Sequence, residues 1–248
     1  MSPFAISILG ILLSGLATSI GAIPVFFFAR NTYPKFTDAL LGFSAGVMLA
    51  ATFFSLLLPA LDEGGVILTI IGILTGSLLM STLDKVVPHL HFISGIEGPT
   101  SSLSKIWLFI LAIMLHNLPE GLSVGVGFAS SDIRLGLTIA IAIGLQNMPE
   151  GLAVALPLRV EGYTKVKAFG IATLSGALEP IMGFLGYFLV RFFKPLLPVA
   201  LATAAGAMLY VISEEIIPES HRSGFEKEAT FSLIGGFILM MVLDYLLG

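Results

Sequence analysis

The chain has 248 residues, of which 56% are hydrophobic and 11% charged, with a mean hydropathy of +1.00. Soluble chains carry about 25% charged residues, so a water-soluble fold is excluded and an all-α, polytopic membrane protein is expected. The absence of cysteine excludes disulfides, thiolate metal sites and thiol catalysis, and a net charge of −4 with no basic run gives nucleic acid nothing to bind.

A bilayer core of about 30 Å is crossed by about 20 apolar helical residues. Eight stretches qualify, at approximately 4–29, 37–61, 65–83, 106–130, 134–158, 167–191, 196–217 and 229–247, so that residues 1–248 form a single transmembrane domain. The first has no Lys or Arg before it and no small-x-small cleavage site at its end, and it reads as a span rather than a signal peptide. Gly64-Gly65 and Ser130-Ser131-Asp132 mark tight connections, while 84–105 and 218–228 are longer polar loops. Arg30, Lys35, Lys85, Lys105, Arg159, Lys165, Lys167, Arg222 and Lys227 fall in or beside the loops after spans 1, 3, 5 and 7. Only Arg134, Arg191 and Lys194 fall in or beside those after spans 4 and 6. The positive-inside rule then puts both termini outside the cytoplasm.

Most acids sort to the ends of these spans: Asp62 and Glu63 outside, Asp38, Asp84, Glu97, Glu161, Glu226 and Glu228 inside, with Asp132 in an outer loop. Glu120, Glu150 and Glu179 instead fall near the middle of spans 4, 5 and 6. An unpaired carboxylate at such depth costs roughly 2.5–3.5 kcal/mol on insertion scales, or on the order of 10 kcal/mol for three. No basic side chain lies at comparable depth, so a bound cation or protons must neutralise them. A trio of protonated acids in a polar network is the plainer alternative.

Two of these acids lie in paired motifs, "LHNLPEG" (Leu115–Gly121) and "LQNMPEG" (Leu145–Gly151). His116 and Glu120 are i, i+4 and share a helix face, as do Gln146 and Glu150. Asn117 and Asn147 are turned by about 100° and serve the margin of that site or a second one. Span 6 adds "SGALEP", with Glu179 before Pro180. Pro119, Pro149 and Pro180 each leave a carbonyl unbonded four residues back, at Leu115, Leu145 and Gly176, which is tolerated where backbone lines a cavity. Imidazole, carboxylate and amide donors without cysteine sulfur suit Zn²⁺, Fe²⁺, Mn²⁺, Co²⁺ or Cd²⁺. Two other classes compete. An intramembrane metalloenzyme would use Glu120 or Glu150 as base toward a metal-bound water, although the chain has no H-E-x-x-H. A proton- or sodium-coupled carrier of an organic solute would use the acids for coupling.

H-N-x-P-E-G, Q-N-x-P-E-G and S-G-x-x-E-P on the fourth, fifth and sixth of eight spans resemble the ZIP (Zrt/Irt-like) metal transporters, most similarly their GufA-like branch, and the resemblance covers essentially the whole chain. It implies uptake of Zn²⁺, with Cd²⁺, Fe²⁺ and Mn²⁺ as further cargo, across a cell membrane into the cytoplasm. It also implies a binuclear mid-membrane site, a homodimer and elevator-like alternating access. By position it puts His116, Glu120, Gln146, Glu150 and Glu179 around one metal, with Asn117, Asn147 and the carboxylates around its neighbour. Asn147 departs from the acid that some members carry, which weakens the second position. In span 2, "GVMLAATFFSLLLPALDEGG" is similar to the family's pathway helix and implies Met48, Ala51 and Ser55 along the route, with Asp62 at the outer mouth. Glu214 and Glu215 in "SEEIIPESH" resemble positions near the cytoplasmic exit, although with Glu219 and His221 they read equally as a solvated helix end. His89 and His91 in "PHLH" match a metal-binding loop of relatives, while the residues alone read as surface loop. Asp244 and Trp107 read as membrane-interface residues.

Overall fold

The computed structural model describes residues 1–29, 31, 33–91, 95–103 and 105–247. Arg30, one of the basic residues that set the expected orientation, lies outside the described residues, and Lys105 is described by its backbone only. α1 (Pro3–Ala22) begins where Ser2 Oγ accepts the Ala5 N–H at 3.2 Å and Pro3 takes the first helical position. A 3₁₀ turn at Ile23–Phe26, containing Pro24, ends it short of the expected residue 29. α2 (Pro34–Ala51) passes through a π-helical turn, Thr52–Leu57, into α3 (Leu58–Val86).

Those 53 residues form one apolar helical stretch, one of seven long enough to cross a membrane among the described residues. Unbroken at 1.5 Å per residue it would reach about 80 Å, more than twice the bilayer core. It is not unbroken: Gly65 has φ 69° and ψ 175°, at the connection expected between 37–61 and 65–83. A left-handed φ of this kind is open to glycine at little cost.

Between α3 and α4 (Lys105–Ala129), β1 (His89–His91) and β2 (Gly95–Glu97) pair antiparallel, with His89 opposite Glu97 and Leu90 opposite Ile96. Among the described residues the fold is thus helical apart from one small hairpin in the stretch expected to be a longer polar loop. α5 (Ile133–Val160) is capped by Asp132, whose side chain accepts the Arg134 N–H at 2.9 Å. α4 and α5 continue through Pro119 and Pro149, whereas the sixth stretch divides into α6 (Lys165–Gly176) and α7 (Leu178–Phe192). The division falls where Pro180 cannot donate to Gly176. α8 (Leu197–Val211), a π-helical turn at Ile212–Ile216, α9 (Ile217–Ser220) and α10 (Glu226–Leu247) complete the chain.

Lipid tails are as apolar as leucine, so membrane helices associate through close packing of small residues rather than through hydrophobic burial. Four helix pairs follow that rule. A Cβ at Gly121 would stand 2.2 Å from Glu179 O and one at Gly125 1.9 Å from Gly183 O, which joins α4 to α7. Gly42 and Gly46 meet the Ala229 and Leu233 carbonyls of α10 at 2.3 and 1.9 Å, and Gly76 meets Thr203 O of α8 at 2.0 Å. Gly151 meets Thr18 O of α1 at 2.0 Å, and Asn147 reaches Ser14 O one turn earlier. In each pair the contacts advance together along both helices, so α1/α5, α2/α10, α3/α8 and α4/α7 all run parallel.

Gly125 and Gly65 should therefore respond differently to substitution. Gly125→Leu meets backbone that cannot rotate aside and should exceed the about 1–3 kcal/mol typical of overpacking. Gly65→Ala meets open space and should lose only the about 1–2 kcal/mol of a left-handed residue. Thermal unfolding of the purified variants in detergent checks this; a more damaged Gly65→Ala would contradict the packing account.

Candidate metal centre

The two Pro-Glu motifs face each other. Gln146 of α5 donates through Nε2 to Glu120 Oε1 of α4 at 2.5 Å, and both residues are fully buried. Glu120 Oε2, Gln146 Oε1 and both carboxylate oxygens of Glu150 have no hydrogen-bond partner. Buried polar groups are ordinarily satisfied, and an unpaired carboxylate is the most costly exception. Four buried acceptors without donors on these two motifs have the chemistry of a cation site, although among the described residues the ligand atoms of three acids or histidines draw within 4.8 Å of one another at Asp84, Glu214 and Glu215 and not here.

His116 shares a cavity with Glu150, and its Nδ1 stands 2.6 Å from Glu215 Oε2. A carboxylate only accepts, so Nδ1–H donates and Nε2 is left as a metal donor, the arrangement in which a carboxylate orients a ligating imidazole. Glu215 thereby belongs to the centre itself as well as to the exit where its sequence position placed it. Reading the chain in one dimension missed this contact because 99 residues separate the two.

Glu179 is differently placed. Thr18 Oγ1 donates to its Oε1 at 3.1 Å and Asn147 Nδ2 to its Oε2 at 2.6 Å. Asn147 Nδ2 also donates to Ser14 O at 2.9 Å, and Asn117 Nδ2 donates to Ser175 O at 2.7 Å, just before the α6–α7 break. The amide thus meets the backbone one residue before the Gly176 carbonyl that Pro180 leaves unbonded. Ser14, Thr18 and Ser175 had no sequence signal beyond being small and polar in apolar helices.

Toward the far ends of α3 and α8, single oxygens of Asp84, Glu214 and Glu215 lie within 4.8 Å of one another. The π-helical turn at Ile212–Ile216 carries both glutamates, and π turns recur at functional sites. Glu215 is buried, which corrects the reading of this segment as a solvated helix end. Asp84, sorted by sequence among ordinary inner-side acids, is also buried and is the ligand candidate that sequence missed. His89 is fully buried, its Nδ1 2.7 Å from Val87 O and its Nε2 3.8 Å from Asp84 Oδ1. It is therefore part of the packed interior, not a surface-loop residue. The side chain of His91 lies outside the described residues. His221 is half-buried in the turn after α9 and is not part of the Asp84–Glu214–Glu215 cluster.

Met48, Ala51 and Ser55 are buried on the α2 side, and Asp62 is exposed beyond them. Ser55 Oγ donates to Asp244 Oδ1 at 2.6 Å. Asp244 is thus tied to a pathway candidate, which its reading as a mere interface residue did not foresee. The cavity that contains His116, Glu150 and Glu215 is lined further out by Thr37 of α2, Pro157 of α5, and Glu219 and Arg222 beyond α8. These lie near the loops after the first, fifth and seventh expected spans, so the outer lining of the cavity gathers at one end of the helices it touches.

The family profile described as ZIP Zinc transporter matches residues 93–244. The chain is similar to Zinc transporter ZIPB of Bordetella bronchiseptica, 44% identical over 245 residues that cover 94% of this chain and 78% of the relative. It is 41% identical over 247 residues to Zinc transporter GufA of Myxococcus xanthus, covering 96% and 97% of the two chains. With Zinc transporter ZIP11 of Homo sapiens it shares 35% identity over 333 aligned positions, 98% and 97% of the two chains.

The contact between His116 and Glu215 generates a prediction. Glu215→Ala should lower metal affinity about 10- to 100-fold, the usual effect of removing the group that orients a ligating imidazole, while Glu215→Gln retains an acceptor and loses less. Calorimetric titration of purified protein with Cd²⁺ checks this, and equal affinities for wild type and Glu215→Ala would remove the orienting role.

Proposed function

The chain belongs to the ZIP family of zinc transporters, in its GufA-like branch, and on that premise we propose how it carries its ion. It is an integral membrane transporter of zinc and not an enzyme. The cation is held at mid-membrane by His116, Glu120, Gln146 and Glu150, where carboxylate and amide oxygens replace hydration water and two negative charges make a dication stable in a low-dielectric surround. One observation carries this reading: the unpartnered acceptors of Glu120, Gln146 and Glu150 are buried together, and Glu150 and His116 lie in a cavity that reaches the helix ends. Nitrogen and oxygen donors without cysteine sulfur suit Zn²⁺ and extend to Cd²⁺, Fe²⁺ and Mn²⁺.

The direction is inward. The cavity opens beside the loops that carry most of the Lys and Arg, which is the cytoplasmic side by charge asymmetry. The ion leaves the centre past Glu215 toward Glu214 and Asp84, or along the cavity wall toward Glu219. On the other side, the route from Asp62 by Ser55 and Asp244 to Ala51 and Met48 brings it in. Transport exchanges these two openings by movement of one helix group against another, and a homodimer, as the family resemblance implies, belongs to the same proposal.

Eight crossings with both termini outside the cytoplasm accompany this reading. The four parallel helix pairs join expected spans 1 with 5, 2 with 8, 3 with 7 and 4 with 6. Spans of equal parity run in the same direction only when Pro34–Val86 counts as two crossings that reverse at Gly65, which supports that count.

Reconstituted in liposomes, the protein should take up Zn²⁺, and His116→Ala and Glu150→Ala should each lower the flux by at least about 10-fold. Undiminished flux in both variants would sink the site. The topology has its own test, aided by a chain without cysteine. A membrane-impermeant maleimide should label Glu63→Cys on intact cells and Glu161→Cys only after permeabilisation. Protection of Glu63→Cys under both conditions would leave Pro34–Val86 as a single membrane-embedded segment.

A further inference from the structure

Buried polar atoms form two groups along the α4 and α5 motifs, with opposite chemistry. Around Glu120 and Glu150 the unpartnered atoms are all acceptors: Glu120 Oε2, Gln146 Oε1 and the two Glu150 oxygens. Around Glu179 both carboxylate oxygens already receive donors, Thr18 Oγ1 on one and Asn147 Nδ2 on the other. Asn147 Nδ2 has two acceptors, Glu179 Oε2 and Ser14 O. That pairing assigns the amide orientation, because a flipped amide would set its oxygen against two other oxygens. Asn117 is held in the same way, its Nδ2 on Ser175 O.

A cation needs lone pairs, and at the Glu179 end one on each carboxylate oxygen is already taken by an O–H or N–H donor whose positive end faces any incoming ion. To turn Asn147 Oδ1 toward an ion there, the amide must leave Ser14 O and Glu179 together, which strands a buried backbone acceptor. Thr18 has no room to withdraw. A Cβ at Gly151 would be 2.0 Å from Thr18 O, and one at Gly176 would be 2.8 Å from Thr18 Cβ and Oγ1, so α5 and α6 pack directly on it.

We infer that this chain holds one divalent cation per protomer at mid-membrane, and that Thr18, Glu179 and Asn147 form a hydrogen-bonded clasp joining α1, α5 and α7 that is closed to a second ion. The inference rests on the metal site proposed above. Asn147 decides the count. Aspartate in its place would remove the donor shared by Glu179 and Ser14 and leave several oxygens facing one another, which is a cation site.

The test is metal stoichiometry. Full-length protein purified in detergent, with Asp84→Asn and Glu214→Gln in every sample so that the inner carboxylate cluster contributes no ion, is loaded with Zn²⁺, desalted and assayed for metal per chain. Thermal melting confirms that each variant is folded. The expected result is one ion per chain, loss of that ion in Glu150→Gln, and two ions per chain in Asn147→Asp. Two ions per chain with Asn147 in place, one of them lost in Glu150→Gln, would overturn the single-ion inference and leave the proposed site standing. One ion that survives Glu150→Gln would overturn the site as well. A single ion in Asn147→Asp would overturn the assignment of the count to Asn147.

Discussion

A carboxylate in hydrocarbon must have a counter-charge or a donor, and three buried glutamates within three apolar stretches impose that requirement three times. The structure meets it in two ways. Glu179 receives a hydroxyl and an amide, and so contributes to how α1, α5 and α7 are held together. Glu120 receives one amide on one oxygen and Glu150 receives nothing, which leaves part of the requirement to the transported ion. The proposed binding site is thus the portion of the buried negative charge that the protein does not neutralise for itself.

That division depends on backbones that approach closely. Glycines on α4 and α5 let α7 and α1 come within van der Waals contact of main-chain oxygens, which is how Thr18 and Glu179 reach Asn147 despite lying on different helices. The prolines act with the glycines. The α6–α7 break falls just before Pro180, and Asn117 donates to the carbonyl of Ser175 beside it. Local strain in the chain and local hydrogen bonding by side chains are two parts of one arrangement.

The carboxylate cluster beside His116 shows the same division with a different geometry. A π-helical turn carries adjacent acids, Glu214 and Glu215, into one cluster with Asp84. Glu215 faces both ways, toward this cluster and toward His116. On the proposed route, an ion that leaves the imidazole meets a carboxylate already in contact with it.

Sequence alone determined the membrane class, the helical character of the chain and the residues of the paired motifs. Hydrophobic length, helical i, i+4 spacing and the depth of an acid within an apolar run are local properties that survive in one dimension. It also marked Asn147 as the place where charge is missing. Tertiary structure decided which acids are already satisfied and which are not. The pairings of Glu179 with Thr18, His116 with Glu215, Ser55 with Asp244 and Asp84 with Glu214 span residues 99 to 189 positions apart where their hydrogen bonds are measured, or join helices that meet only through the fold. A hydrogen bond is a matter of a few ångströms between particular atoms, and only the packing of parallel helix pairs brings those atoms together.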